Sequence, residues 1–190
     1  YLPCPCKVKH DEEKYNAQLI TSHHMQRDTL NAKLKDIYLK GKRLEVARAA
    51  DDICNAIANQ DANIKGMYLH GEFGTGKSFI LGAIANQLKT KKIPSTIIYL
   101  PEFIRTLKSG FKDGTFETKL AKVREANILM LDDIGAEEIT PWVRDEIIGP
   151  ILHYRMVQEL PTFFSSNYNF KELQHHLSVT RDGTELTKAA

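Results

Sequence analysis

Three cysteines in 190 residues, an odd number, provide no disulfide framework for a small secreted fold and predict a reducing, cytoplasmic setting. No uninterrupted apolar run reaches membrane-spanning length. The start lacks the charged, apolar, small-residue order of a secretory leader, so no membrane partner is predicted. Neither sign of charge is in surplus. Lys and Arg number 26 against 24 Asp and Glu, a formal net charge of +2, so any nucleic-acid surface has to be local. A chain of this length suits one α/β domain with a short extension.

What is present is concentrated in Gly71-Glu72-Phe73-Gly74-Thr75-Gly76-Lys77-Ser78, which fills every position of the G-x-x-x-x-G-K-[ST] phosphate-binding loop. A glycine-rich turn with an incidental Lys-Ser would share the bare pattern, so the flanks matter. Met67-Tyr68-Leu69 leads in as a buried strand, and Phe79 to Ala85 leads out as a helix running to about Lys89. Glycines at 71, 74 and 76 let successive N–H groups turn inward toward phosphate oxygens, with Phe73, Thr75 and Phe79 completing the loop and the helix start. Lys77 would neutralise the β- and γ-phosphates of a nucleoside triphosphate, and Ser78 would offer its hydroxyl to magnesium.

A second site agrees with the first. Asn127-Ile128-Leu129-Met130-Leu131-Asp132-Asp133 reads as a buried parallel strand with two acids at its carboxyl end, where ligands sit in open α/β sheets. Asp132 would hold magnesium, and Asp133 would orient or deprotonate the attacking water. Ser95 to Leu100 is a further buried strand closed by Pro101. Pro161 to Asn167 is another, ending in polar residues; Asn167 would fix the water or the γ-phosphate, although taken on its own an ordinary turn at Asn167-Tyr168-Asn169 is the stronger reading.

Other segments carry weaker signals. From about Asp11 to Asp61 the pattern is helical, with one stripe of Leu30, Leu34, Ile37 and Tyr38, a break at Lys40 to Arg43, and a second stripe of Val46, Ala50, Ile53 and Ile57. Cys54 falls on the apolar face of that second helix, as a core residue. Cys4-Pro5-Cys6 offers half of a zinc site, and no other pair completes it. The adjacent pairs His23-His24 and His175-His176 cannot share one helix face, and His10 lacks a spaced partner. In Glu102 to Lys112, the residues Arg105, Lys108, Phe111 and Lys112 interleave cations and a ring in a way that suits single-stranded nucleic acid; the plainer reading is an amphipathic helix with Phe103, Ile104 and Leu107 in the core. Thr140-Pro141-Trp142 marks a helix start, with Ile147, Ile148, Ile151 and Leu152 on its buried side, and Asn169 caps a short helix from Phe170 to Leu177.

Gly-Glu-Phe-Gly-Thr-Gly-Lys-Ser, Ile-Leu-Met-Leu-Asp-Asp-Ile-Gly-Ala-Glu, Trp-Val-Arg-Asp-Glu-Ile-Ile-Gly and Leu-Pro-Thr-Phe-Phe-Ser-Ser-Asn occur in that order. From about Met67 to Lys188 the chain thereby resembles bacterial primosomal helicase loaders of the DnaI type, relatives of DnaC in the AAA+ ATPase superfamily. The resemblance implies a P-loop AAA+ three-layer sandwich with a mainly parallel sheet over 46–190, lacking its C-terminal lid. A helical N-terminal extension over 1–45 precedes it, including the tail of a Cys-rich, zinc-binding domain. It implies Walker A at Lys77 and Ser78, Walker B at Asp132 and Asp133, and sensor 1 at Asn167. Asp133 stands where Glu is usual, which predicts slow, partner-stimulated ATP hydrolysis. No residue is assigned as arginine finger, Arg181 included, so nucleotide binding is expected to exceed turnover. The implied partners are the replicative DNA helicase, single-stranded DNA, other primosome proteins, and further copies of the chain held weakly or through ATP. The implied DNA contacts fall on Arg105, Lys108, Phe111 and Lys112. An AAA+ partner of a transposase, a non-hydrolysing nucleotide-gated adaptor and, less favoured, a small-molecule kinase remain open from the residues.

Overall fold

The structure, a computed structural model, describes residues 20–23, 25, 27–37, 42–61 and 64–178. Cys4, Cys6, His10, His24, Tyr38, Lys40 and Arg181 lie outside the described residues.

Five parallel strands form one sheet: β1 (Ile20–His23), β2 (Tyr68–His70), β3 (Ser95–Tyr99), β4 (Leu129–Asp132) and β5 (Thr162–Ser166), in the spatial order β1-β3-β4-β5-β2. Helices cover both faces, as a parallel sheet requires. On one face α2 (Lys42–Ala58) and α3 (Lys77–Thr90) bury Ala50, Cys54, Leu81, Ile84 and Leu88 against Ile97, Met130 and Phe163. On the other, α4 (Leu100–Asp113), α5 (Phe116–Arg124) and the helix through Val143 to Val157 bury Phe103, Leu107, Leu120, Ile147 and Ile151 against Ile98, Leu129 and Leu131. Neighbouring residues of β4 thus supply opposite cores, the two-sided burial its continuous apolar run predicts. This is the three-layer α/β sandwich expected.

The N-terminal part departs from the helical expectation. Residues 20–23 are a strand on the far edge of the sheet, in register with Ser95 to Ile98 of β3. A four-residue strand is too short to show periodicity, and an open edge of β3 is what selects it. The stripe from Leu30 is not one helix either. Helix α1 (Arg27–Asn31) stops, and a single 3₁₀ turn follows at Leu34–Asp36. The stop has a tertiary cause, because Asn86 of α3 donates its amide to the carbonyls of Leu30 and Ala32, both at 2.9 Å.

Thr140 caps the helix before β5 through its hydroxyl, which accepts from Val143 N–H at 3.2 Å. The turns at Val143–Ile148 are π-helical, with Gly149 N–H bonded to Arg144 O, and α6 (Gly149–Val157) continues as ordinary helix. Pro150 explains the wide turn. It has no N–H to give, and its ring would press on the carbonyl four residues back in a regular α-helix. The last helix, α7 (Phe170–Ser178), starts at Asn169, whose side chain accepts from the N–H groups of Lys171 and Glu172 while Glu172 returns a bond to Asn169 N–H at 2.8 Å.

Candidate functional site

The phosphate-type loop lies between the carboxyl end of β2 and the first turn of α3. Gly74 and Gly76 have φ of 76° and 89°, left-handed values that a Cβ would strain, although neither site is sterically crowded. Backbone conformation, not space, is therefore what demands glycine at these two positions. The loop is exposed from Glu72 to Gly76, and Phe73 at its tip is 91% exposed.

Lys77, Asp132, Asp133 and Asn167 converge from three elements onto this loop. The Lys77 ammonium donates to Gly71 O (2.9 Å), Glu72 O (3.0 Å) and Asn167 Oδ1 (2.8 Å). Asn167 Nδ2 stands 3.5 Å from Asp133 Oδ1, a long contact. Asp132 ends β4, is buried, and accepts a 2.5 Å bond from the Ser165 hydroxyl. Burial holds its carboxyl above the usual range, opposed by the hydroxyls of Ser165 and Ser78. Asp133 follows in the left-handed region, φ 63°, and its carboxyl is likewise raised by burial and lowered by Lys77. Burial lowers the Lys77 ammonium, and Asp133 and Asp132 pull it back up. The site is therefore a closely coupled cation and two acids beside a run of backbone amides.

A cavity of about 420 Å³ opens onto these groups, and Met25, Thr29 and Tyr99 line it as well. A second cavity of about 350 Å³ lies behind the loop, with walls from Ile37, Arg43, Phe79 and Ile80. Sequence reading gave none of Met25, Thr29, Tyr99, Ile37 or Arg43 a place at the site; Ile37 stood there only in an apolar stripe and Arg43 only at a break. Tyr99 is brought there by the register of β3 with β4, which pairs it with Asp132.

The donor set suits magnesium. Ser78 and Asp132 present hard oxygens, and the described residues contain no group of three His, Cys, Asp or Glu able to hold a metal by themselves. Magnesium commonly takes one or two carboxylates and completes its shell with water and substrate phosphates.

Arg105, Lys108, Phe111 and Lys112 share the outward side of α4, while Phe103, Ile104 and Leu107 face the core, so the two sequence readings of this segment are compatible. Phe111, 57% exposed, stacks on Phe116 at 4.4 Å and tilts against Trp142 at 5.7 Å. Lys108 Nζ lies 5.7 Å from the Trp142 ring centre, and Arg105 pairs with Glu102 at 2.9 Å. Phe116 and Trp142 join Phe111 through tertiary packing that no local sequence pattern indicates.

Residues 30–150 match the family of the bacterial DnaA ATPase domain. A solved structure described as DnaI superposes with a TM-score of 0.75 at 43% identity, over 84% of this chain and 85% of that one. This chain belongs to that ATPase-domain family, as a DnaI-type member. The replicative helicase loader DnaI of Bacillus subtilis is 45% identical over 192 residues, covering all of this chain; the chain spans 61% of that relative's length. The replicative helicase loader DnaC of Escherichia coli strain K12 is 29% identical over 115 residues, 60% of this chain and 46% of the relative. A crystal structure of the DnaC helicase loader shares the fold, with a TM-score of 0.66 at 23% identity over 80% of this chain and 90% of that one. The described residues of this DnaI-type chain include no helix long and apolar enough to cross a membrane.

One acid of this DnaI-type domain lies just past the paired carboxylates. Glu137 is 6% exposed, accepts from Gly135 N–H at 2.9 Å through Oε2, and at Oε1 has no hydrogen-bond partner among the described residues. Burial pushes its carboxyl up to about 7. Between about 4.5 and about 7 the folded chain therefore holds a proton that the unfolded chain has released, so stability falls as pH rises through that window and levels off above it. The contribution is about 3 kcal/mol at full extent. Urea melts at pH 5 and pH 8 should show Glu137→Gln relieving the loss at the higher pH; equal pH slopes in parent and variant would exclude this assignment.

Proposed function

We propose that this chain is the ATP-binding unit of a helicase loader, which binds ATP with magnesium, hydrolyses it slowly, and delivers a ring-shaped replicative helicase onto single-stranded DNA. The observation that carries the reading is the convergence of Lys77, Asn167, Asp133 and Asp132 on the glycine loop, in a domain whose relatives are described as replicative helicase loaders.

In this reading the Lys77 ammonium moves from its bonds with Gly71, Glu72 and Asn167 to the β- and γ-phosphates. The loop amides and the start of α3 receive the remaining oxygens. Ser78 and Asp132 hold magnesium, which when bound offsets the phosphate charge. Asp133 orients the attacking water, with Asn167 set between it and Lys77. The shorter Asp side chain reaches less far than Glu, which fits slow turnover. The cavity with Ile37 and Phe79 is an apolar seat for the base, beside the Arg43 cation. The Phe111, Phe116 and Trp142 rings with Lys108, Arg105 and Lys112 form a platform for single-stranded DNA: rings for bases, cations for phosphates.

The loader reading is tested by retention of the replicative helicase on immobilised full-length protein with ATP, ADP and Lys77→Ala. Nucleotide-dependent retention supports it; retention of a transposase in its place moves the function to transposition and leaves the ATP site intact. The DNA surface is tested separately. Trp142 is the single tryptophan, so its emission reports on the platform directly. Oligo-dT should quench it, and Phe111→Ala with Lys112→Ala should weaken binding by about 10-fold or more, the worth of one stacked base. Unchanged affinity in that double variant would remove the platform from the proposal.

A further inference from the structure

Ser165 sits one strand away from the paired acids and touches both. Its hydroxyl donates to Asp132 Oδ1 at 2.5 Å and accepts from the Asp133 N–H at 2.8 Å. The side chain is 1% exposed and lies on β5, two residues before Asn167. The β4–β5 pairing that matches Leu131 with Phe164 brings Ser165 alongside Asp132. The same strand end then fixes the turn that follows the acids. Ile134 N–H donates to Ser165 O at 2.9 Å, and the Ser166 hydroxyl donates to Ile134 O at 2.6 Å.

One hydroxyl therefore does two things. Through its proton it selects the orientation of the Asp132 carboxylate, leaving Oδ2 as the oxygen not engaged by Ser165. Through its lone pair it holds the Asp133 amide in a left-handed conformation, φ 63°, that strains a residue carrying a Cβ. Without that bond the turn could relax, and the Asp133 side chain would lose its fixed approach to Asn167 and Lys77. Alanine removes both bonds. Threonine keeps a hydroxyl on the same carbon, and cysteine keeps the size with a weak donor.

We propose that Ser165 is a positioning residue, which sets the Asp132 carboxylate for magnesium and the Asp133 backbone for the reacting side of the site. The inference rests on the reading of Asp132 as a magnesium ligand, and the test separates the two. Binding of a fluorescent ATP analogue is titrated with magnesium in the parent and in Ser165→Ala, Ser165→Thr, Ser165→Cys and Asp132→Ala, and each protein is also measured without magnesium.

Ser165→Ala should raise the magnesium concentration for half-maximal effect by about 10- to 100-fold, the usual consequence of losing a group that orients a metal ligand. Magnesium-free binding should not change, and Ser165→Thr should restore the parent's requirement. A merely structural role would instead lower binding with and without magnesium together. If Ser165→Ala fails to fold, Ser165→Cys reads the same loss with the packing kept. A raised requirement in Asp132→Ala alongside parental values in Ser165→Ala and Ser165→Cys overturns the inference. A parental requirement in Asp132→Ala overturns the magnesium reading beneath it.

Discussion

Lys77→Ala should lower the affinity for ATP by about 100-fold, with the fold intact. The ammonium is spent on two loop carbonyls and on Asn167, so the domain does not depend on it for packing. Position 77 opens α3, and alanine is the best helix former, which leaves local structure unharmed. What disappears is a charge-assisted contact to phosphate, worth about 3 kcal/mol, or roughly two decades in the dissociation constant. Calorimetric titration with ATP gives the number, and a thermal melt checks the fold. An affinity equal to the parent's would mean that the loop does not grip a triphosphate through Lys77.

Arg155→Ala should destabilise the domain by about 4 kcal/mol, the largest single loss expected far from the nucleotide. Arg155 is 1% exposed, yet no carboxylate among the described residues pairs with it. Its guanidinium donates instead to Thr162 Oγ1 (2.8 Å), Arg124 O (3.1 Å), Ala126 O (2.5 Å) and Pro161 O (2.7 Å). These acceptors belong to the turn leading into β4 and the turn leading into β5, so one side chain ties together the amino ends of the two strands that carry the acids and Asn167. Burial lowers the guanidinium to about 10, still protonated at neutral pH. Truncation leaves several carbonyls without a donor, at about 1–3 kcal/mol each, along with a cavity. For a domain of this size that is a fall of about 12 °C in the melting temperature. Arg155→Lys keeps the charge but cannot span all four acceptors, and should fall between parent and alanine. A melting temperature within a degree or two of the parent for Arg155→Ala would show that the turns hold without it.

The local chemistry of this chain was written in its sequence. The loop from Gly71 to Ser78, the apolar run ending at Asp132 and Asp133, the strand ending before Asn167 and the apolar face of α4 are all short-range patterns. They depend on periodicity, glycine conformation and strand burial, which neighbouring residues decide among themselves. Sequence could also name Arg105, Lys108 and Phe111 as one exposed face, because helical spacing alone sets that.

Tertiary structure decided the rest, for the opposite reason. Nothing near Ile20 announces a strand; the free edge of β3 makes it one. Nothing near Asn31 ends a helix; Asn86 of α3 does. Phe111, Phe116 and Trp142 meet because α4, α5 and the start of the next helix pack on the same side of the sheet. Ser165 reads in the sequence as one more small polar residue near a strand end, and Arg155 as one more surface cation. Their partners lie 33 residues away at Asp132 and up to 31 away at Arg124, so only the pairing of β4 with β5 could bring a hydroxyl onto both acids and a buried guanidinium onto both turns.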